Sequence, residues 1–543
     1  MSITRQAALA CLGLSACAMP ASAQAVSPLQ TRAERTRFEE TTPYNEVRAF
    51  MDALAARTGR ARVESFGRSE EGRDLPLLVV GDPPAPGPAE ARASRRPVVL
   101  VMGNIHAGEV EGKEALLHLA RDLTTGDLQP LLNGAIWLFA PIYNADGNEK
   151  VSVENRPEQH GPIAGVGTRE NASGLDLNRD FMKLESAEAR ALVGLLTRWD
   201  PDVVVDLHTT NGSHHGYHLT YSPTLNPNAD ARLIAYARER LLPAVRDAVS
   251  TRHAFRTYYY GNFDEDGTRA WRTFDHRPRF GNNYVGLRNR IAILSEAYSY
   301  LDFAGRVRVT EAFVEEVMRY VVANASEIRA LVSRLDDEWT SGASPGQAGV
   351  AFEIRPLPEP VDILVGAVQK KANPRSGKTM IAMIESAATP ARMMDYGVFA
   401  ATRSRRVPRE YLVLPTAAGG VHQAIAARLK QHGVRVDELP AAMPVTVERF
   451  VIGQVRHAAQ SFQGHRETTI AGRYEKATVP APGGTLVVRT NQPLGSLVFY
   501  LLEPESDDGL TTWNVVDAAL TPGGAHPVLK TLPGQPLQTR PRP

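Results

Sequence analysis

The chain has 543 residues, 43% of them hydrophobic and 22% charged, enough for a globular protein of two or more domains. Its 61 Lys and Arg against 60 Asp and Glu leave a formal net charge of +1, and no cationic run is interleaved with aromatics. That balance argues against a nucleic-acid or anionic-membrane partner and points to a small molecule or a peptide.

In chain order, residues 1–25 read as an export signal, with Arg5 at its start, an apolar stretch over 7–17, and Ala21, Ser22 and Ala23 before Gln24. The mature protein is therefore expected to be periplasmic or secreted. Leu14-Ser15-Ala16-Cys17 also has the form of a lipobox, so a lipid anchor on Cys17 stands as the alternative to cleavage after Ala23. No later stretch reads as a membrane span. Both cysteines, Cys11 and Cys17, lie in this segment. The body of the protein thus has no thiol for a disulfide, for a metal or for nucleophilic attack, and any zinc must be held by His and carboxylate.

From about 40 to 335, apolar runs alternate with amphipathic stretches, the pattern of an α/β layer structure. Strands are predicted at 98–102, 136–140, 203–207 and 291–294. Helices are predicted after the Glu109 loop, where Leu116, Leu119, Ala120 and Leu123 share a face, and over 187–199, 229–250 and 307–335. Residues 340–349, small and polar, suggest a boundary. The expected organisation is a signal over 1–25, a catalytic domain over 26–339, a linker over 340–352 and a β-rich or mixed accessory region over 353–543. In that last region, 485–489 and 497–502 read as short β segments and 421–431 as a helix.

The polar clusters sit at the ends of the predicted strands, where open α/β sheets build their sites. The first strand ends in His106-Ala107-Gly108-Glu109, two metal-capable side chains around a glycine expected to free the turn. The second is followed by Asn144-Ala145-Asp146-Gly147, and then comes Arg169-Glu170-Asn171-Ala172-Ser173-Gly174-Leu175-Asp176-Leu177-Asn178-Arg179-Asp180. The third delivers His208 and the fourth Glu296.

This ordered set, H-x-x-E, N-x-D-G, R-x-N-x-x-G-x-D-x-N-R, a strand-end His and a late strand-end Glu, resembles the M14 zinc carboxypeptidases over roughly 40–335. The resemblance implies a mixed sheet flanked by helices, one catalytic zinc ion, and hydrolysis of an amide bond next to a free carboxylate. It implies His106, Glu109 and His208 as zinc ligands, Glu296 as general base and Arg169 as the oxyanion partner. Asn178 and Arg179 match the clamp for the substrate's terminal carboxylate, and Asp176 matches the carboxylate that holds a zinc-bound His by its other nitrogen. The tyrosine that the family places over the substrate is assigned to Tyr284, with Tyr258, Tyr259 and Tyr260 as competitors. His214, His215 and His218, just past His208, are read as solvated or hydrogen-bonded rather than as ligands, and Arg156 as a loop arginine near the site.

Other signals are set aside. Gly342-Ala343-Ser344-Pro345-Gly346 has the spacing of a serine-hydrolase elbow, but Pro345 lacks the N–H that an oxyanion hole needs there. Ser376-Gly377-Lys378-Thr379 reads as a turn. The acidic run Ser506-Asp507-Asp508-Gly509, with Trp513 nearby, reads as a turn capping a β module, with ligand binding as the alternative.

The expected activity is that of a secreted zinc metallocarboxypeptidase acting on peptides. A zinc deacylase of N-acyl amino acids is the alternative, since it would use the same metal set and N-R pair. A non-catalytic binding protein on a peptidase scaffold would be expected to have lost a ligand or the base, and all of those candidates are present.

Overall fold

The computed structural model describes residues 29–263, 270–343, 345–534 and 537–542. The expected signal segment with Cys17, and Ser344, lie outside the described residues. Among the described residues no helix is long and apolar enough to cross a membrane.

The main sheet has eight strands. They are β1 (Ala61–Arg68), β2 (Asp74–Val80), β3 (Val98–Gly103), β4 (Ile136–Ala140), β5 (Val203–Thr210), β6 (Leu219–Pro223), β7 (Thr257–Tyr259) and, after the short β8 (Asn262–Phe263) and β9 (Ala270–Arg272), β10 (Ile291–Tyr298). Their spatial order is β1-β2-β4-β3-β5-β10-β6-β7. The four central strands β4, β3, β5 and β10 run parallel, while β2 and β6 join them antiparallel, so the sheet is mixed. Central parallel strands are covered on both faces. That is why β3, β4 and β5 are buried throughout and read as unbroken apolar runs.

Helices Glu111–Thr125, Ala187–Trp199, Leu242–His253 and Phe303–Ala323 flank this sheet. Ser186 starts the second by accepting a hydrogen bond from Ala189 N, and Asp200, left-handed at φ 47° before Pro201, ends it. The helix predicted over 307–335 is two helices, Phe303–Ala323 and Ala325–Ser341, divided at Asn324. The one predicted over 229–250 contains a π-turn at Tyr236–Leu241.

Beyond the helix ending at Ser341 a strand, β11 (Gln347–Arg355), already begins, so the segment 340–352 expected as a linker is mostly regular structure. β12 (Val361–Ala372) and β13 (Thr379–Tyr396) form a long hairpin, closed by a turn at Gly377 (φ 73°). This hairpin is laid against the N-terminal half. β13 pairs with β9, Ile381 N donates to Glu158 O at 2.9 Å, and Met383 N donates to Tyr300 O at 2.8 Å. A seven-stranded sheet and the helix Val421–Gln431 complete a β-rich C-terminal region.

The expected β segment at 497–502 is instead the helix Gly495–Leu502, buried along its whole length. A run that is apolar on every side carries no period, so a buried helix and a buried strand look alike in sequence.

Candidate active site

The carboxyl ends of β3, β5 and β10 open on one edge of the sheet, and the chemistry collects there. Glu109 lies between two imidazoles: its Oε1 is 2.9 Å from His106 Nδ1 and its Oε2 is 2.9 Å from His208 Nδ1. All three side chains are buried, and one ligand atom from each falls within 4.8 Å of the others. The opposite nitrogens are also held. His106 Nε2 lies 2.9 Å from Asp176 Oδ1, and His208 Nε2 lies 2.9 Å from Asp206 Oδ2.

This arrangement fits a divalent cation. An aspartate on each Nε2 fixes the proton there, so both Nδ1 lone pairs turn toward the Glu109 carboxylate. Three acceptors converging in a buried space need a positive charge between them, and a His₂Glu set leaves a fourth coordination position open. In the protein alone that charge comes from the Arg156 guanidinium, which pairs with Glu109, and from a proton on His208. Burial works against a charged His208, yet Asp206 and Glu109 hold its pKa well above the ordinary range. Burial likewise opposes Glu109 ionisation, and His106 and Arg156 pull its carboxyl well below the usual range.

Gly108 serves this loop differently from the sequence expectation. It is Asn104 that takes the left-handed conformation, at φ 65°. A Cβ on Gly108 would stand 2.9 Å from Arg156 Cδ and 3.0 Å from Gly167 O, so the glycine permits close approach of the arginine to Glu109.

Glu296 stands on β10 directly beside His208 on β5 in the parallel register. Burial raises its carboxyl pKa, and the Glu109 charge adds to that against the pull of His208. Arg169 donates to Asp176 Oδ2 from Nη2 at 2.7 Å, with its Nη1 3.3 Å from His106 Nδ1. Arg156 pairs with Glu109 and donates to Thr209 O. Asn178 accepts from Gly281 N at 2.9 Å, while the Arg179 guanidinium lies 3.8 Å over the Phe280 ring. His106, Glu109, Arg156, Arg169, Asn178, Arg179, His208 and Glu296 all line one cleft of about 160 Å³, closed by Tyr260, Phe274, Phe280 and Leu294.

Comparison with known proteins agrees with this geometry. Residues 47–273 match the family model described as zinc carboxypeptidase. That match, over less than half of the chain, supports a relationship to the M14 zinc carboxypeptidases. It is a hydrolase, and the family match supports metallocarboxypeptidase activity. Among relatives, Carboxypeptidase 2 of Trichophyton tonsurans is 22% identical over 530 residues, spanning 90% of this chain and 89% of that protein. Human Carboxypeptidase Z is 39% identical over 156 residues, 28% of this chain and 22% of that protein. Among solved structures, the carboxypeptidase A of Helicoverpa armigera overlaps 53% of this chain and 75% of its own, at 17% identity and a TM-score of 0.41. Glu296 lies past the matched stretch, and it is the β5–β10 register that brings it to His208.

Two site residues differ from the sequence reading. Asp206 was missed, although its place two residues before His208 on a strand puts both side chains on one face. Tyr284 does not reach the cleft. It is 0% exposed, on the helix Gly281–Leu287, with its hydroxyl 2.9 Å from His432 Nδ1 and its ring against Phe181. Tyr260, one of its competitors, lines the cleft instead. Tyr284→Phe is therefore expected to leave KM and kcat unchanged while costing about 1–3 kcal/mol of stability, because a buried imidazole nitrogen loses its partner. Chemical denaturation beside steady-state kinetics checks this, and a raised KM would return Tyr284 to the substrate.

The neighbouring histidines do not join the ligand set. His215 stacks on Tyr298 at 4.1 Å, His218 pairs with Glu385 at 3.0 Å, and His214 packs edge-on to Tyr300. The N-x-D-G motif is an internal brace. Asn144 accepts from Gly147 N, and Asp146 accepts from Ser69, Glu71 N and Arg73.

Proposed function

We propose that the protein is an exported zinc carboxypeptidase that releases the C-terminal residue of a peptide. The observation that carries this is the meeting, in one cleft, of the His106–Glu109–His208 set with Glu296, Arg169 and Arg179. Export rests on the composition of residues 1–25.

Held by His106, Glu109 and His208, zinc would lower the pKa of its water toward about 7 and so supply a nucleophile at neutral pH. The residues around it do the rest. Arg179, stacked on Phe280 and beside Asn178, pairs with the substrate's terminal carboxylate and so fixes which bond lies at the centre. Glu296, a half-buried carboxylate with raised basicity, takes the proton of the attacking water and returns it to the departing amine nitrogen. Arg169 carries a permanent charge toward the scissile carbonyl and stabilises the oxyanion that forms there. Tyr260 covers the bound residue. A cleft of about 160 Å³ is smaller than most small-molecule pockets, which suits one terminal residue rather than a long segment.

The decisive assay sets zinc-loaded enzyme against a panel of peptides with free C-terminal carboxylates, the same peptides amidated, and N-acyl amino acids. Turnover of the free-carboxylate peptides alone is expected. Turnover of only the N-acyl amino acids would overturn the reading in favour of a deacylase.

The metal assignment gives a second expectation. Asp206→Ala removes the acceptor that orients His208, and zinc affinity should fall by roughly 10- to 100-fold. Competition with a chromogenic chelator measures this. Unchanged affinity would show that Asp206 does not orient the ligand.

A further inference from the structure

The acidic turn at 506–509 does not face solvent. Asp508 is 0% exposed and is filled by donors from this chain: Arg279 N at 2.7 Å, Arg279 Nε at 2.9 Å and Trp513 Nε1 at 3.0 Å. Its neighbour Asp507 lies 2.9 Å from His276 Nε2. Arg279 also donates from Nη1 to Glu467 at 2.7 Å and lies 4.5 Å over the Trp513 ring. Two successive aspartates of the C-terminal region thus grip two points of the segment 276–279, and the next residues of that segment belong to the cleft. Phe280 is the platform under Arg179, and Gly281 N anchors the Asn178 side chain.

We propose that Asp508 is a positioning residue for the carboxylate clamp: through Arg279 it fixes Phe280 and Gly281, and so the places of Arg179 and Asn178. The C-terminal region is on this account part of the substrate site, although it supplies no group that touches substrate. The proposal rests on the assignment of Arg179 to the substrate carboxylate.

The physical demand on Asp508 is specific. Its two oxygens accept from a main-chain N–H, a guanidinium and an indole N–H, all buried, and an amide at that position must turn an NH₂ toward at least one of these donors. A misplacement of about 1 Å at a binding group can cost on the order of 100-fold in rate. Asp508→Asn in the full zinc-loaded chain should therefore raise KM for the best free-carboxylate dipeptide of the panel by roughly 10- to 100-fold. Inhibition by the free amino acid released from that dipeptide should weaken in parallel, with kcat and zinc content little changed. Because the effect passes through the clamp, Asp508→Asn should add little to KM when Arg179 is already alanine.

If Arg179→Ala leaves KM and product inhibition unaltered, the clamp assignment itself fails. If Arg179→Ala weakens both while Asp508→Asn changes neither, or changes them by the same factor in either background, the clamp stands and the role given to Asp508 is overturned. Arg279→Lys, which keeps the main-chain bond and the charge but loses the Nε contact, tests the same link should Asp508→Asn fail to fold. A wild-type KM in that variant would equally count against it.

Discussion

Glu296→Gln is expected to keep one zinc per chain, and a KM near that of the wild type, while kcat falls by about 10²- to 10⁴-fold, the usual contribution of a positioned acid–base group. The amide is nearly isosteric with the carboxylate, so it fits the same place on β10 beside His208. What it lacks is the capacity to take a proton. The burial that raises the Glu296 pKa makes the native carboxylate a stronger base than an exposed one, so its loss is felt in the chemical step rather than in binding. Pre-steady-state and steady-state kinetics, with zinc measured on the same samples, separate the outcomes. Retained kcat would show that another group moves the proton, and loss of zinc would show that Glu296 belongs to the metal's ligands.

The parts of this site legible in sequence share one property: their placement follows from local pattern and strand polarity. Apolar runs long enough to be buried strands end at His106, His208 and Glu296, and parallel strands must deliver their ends to one edge. Asp176 was legible by its place in a dense motif. Asp206 was equally available, since a two-residue spacing on a strand fixes a common face, but a lone aspartate inside an apolar strand carries no motif of its own.

The residues that were not legible depend on partners distant in the chain. Tyr284 is assigned from sequence to the substrate tyrosine although its spacing to Glu296 is short for that role, and its short helix directs the hydroxyl to His432, 148 residues away. Asp508 reads as part of a turn capping a β module until Arg279, 229 residues earlier, is seen to fill it. The β12–β13 hairpin is recognisable as two strands and a turn, but nothing local in it foretells pairing with β9 or bonding to Glu158 and Tyr300. Such contacts are decided by tertiary packing, which overrides local preference.

His208→Ala should abolish zinc retention and reduce turnover at least as far as the Glu296 variant. Two ligands remain, His106 and Glu109, and a catalytic zinc site needs three protein ligands. The loss is greater than one bond. Asp206, buried in β5, loses the imidazole it pairs with, and Glu109 Oε2 retains only the Thr209 N–H, at 3.1 Å. An unpartnered buried carboxylate is costly, so the site should relax away from the wild-type geometry. Zinc re-addition separates these states. Chelated wild-type enzyme should recover full activity with one equivalent of zinc, whereas His208→Ala should remain inactive even with excess metal. A His208→Ala protein that holds zinc through dialysis and still cleaves peptide would remove His208 from the ligand set, and with it the convergence on which the proposed chemistry depends.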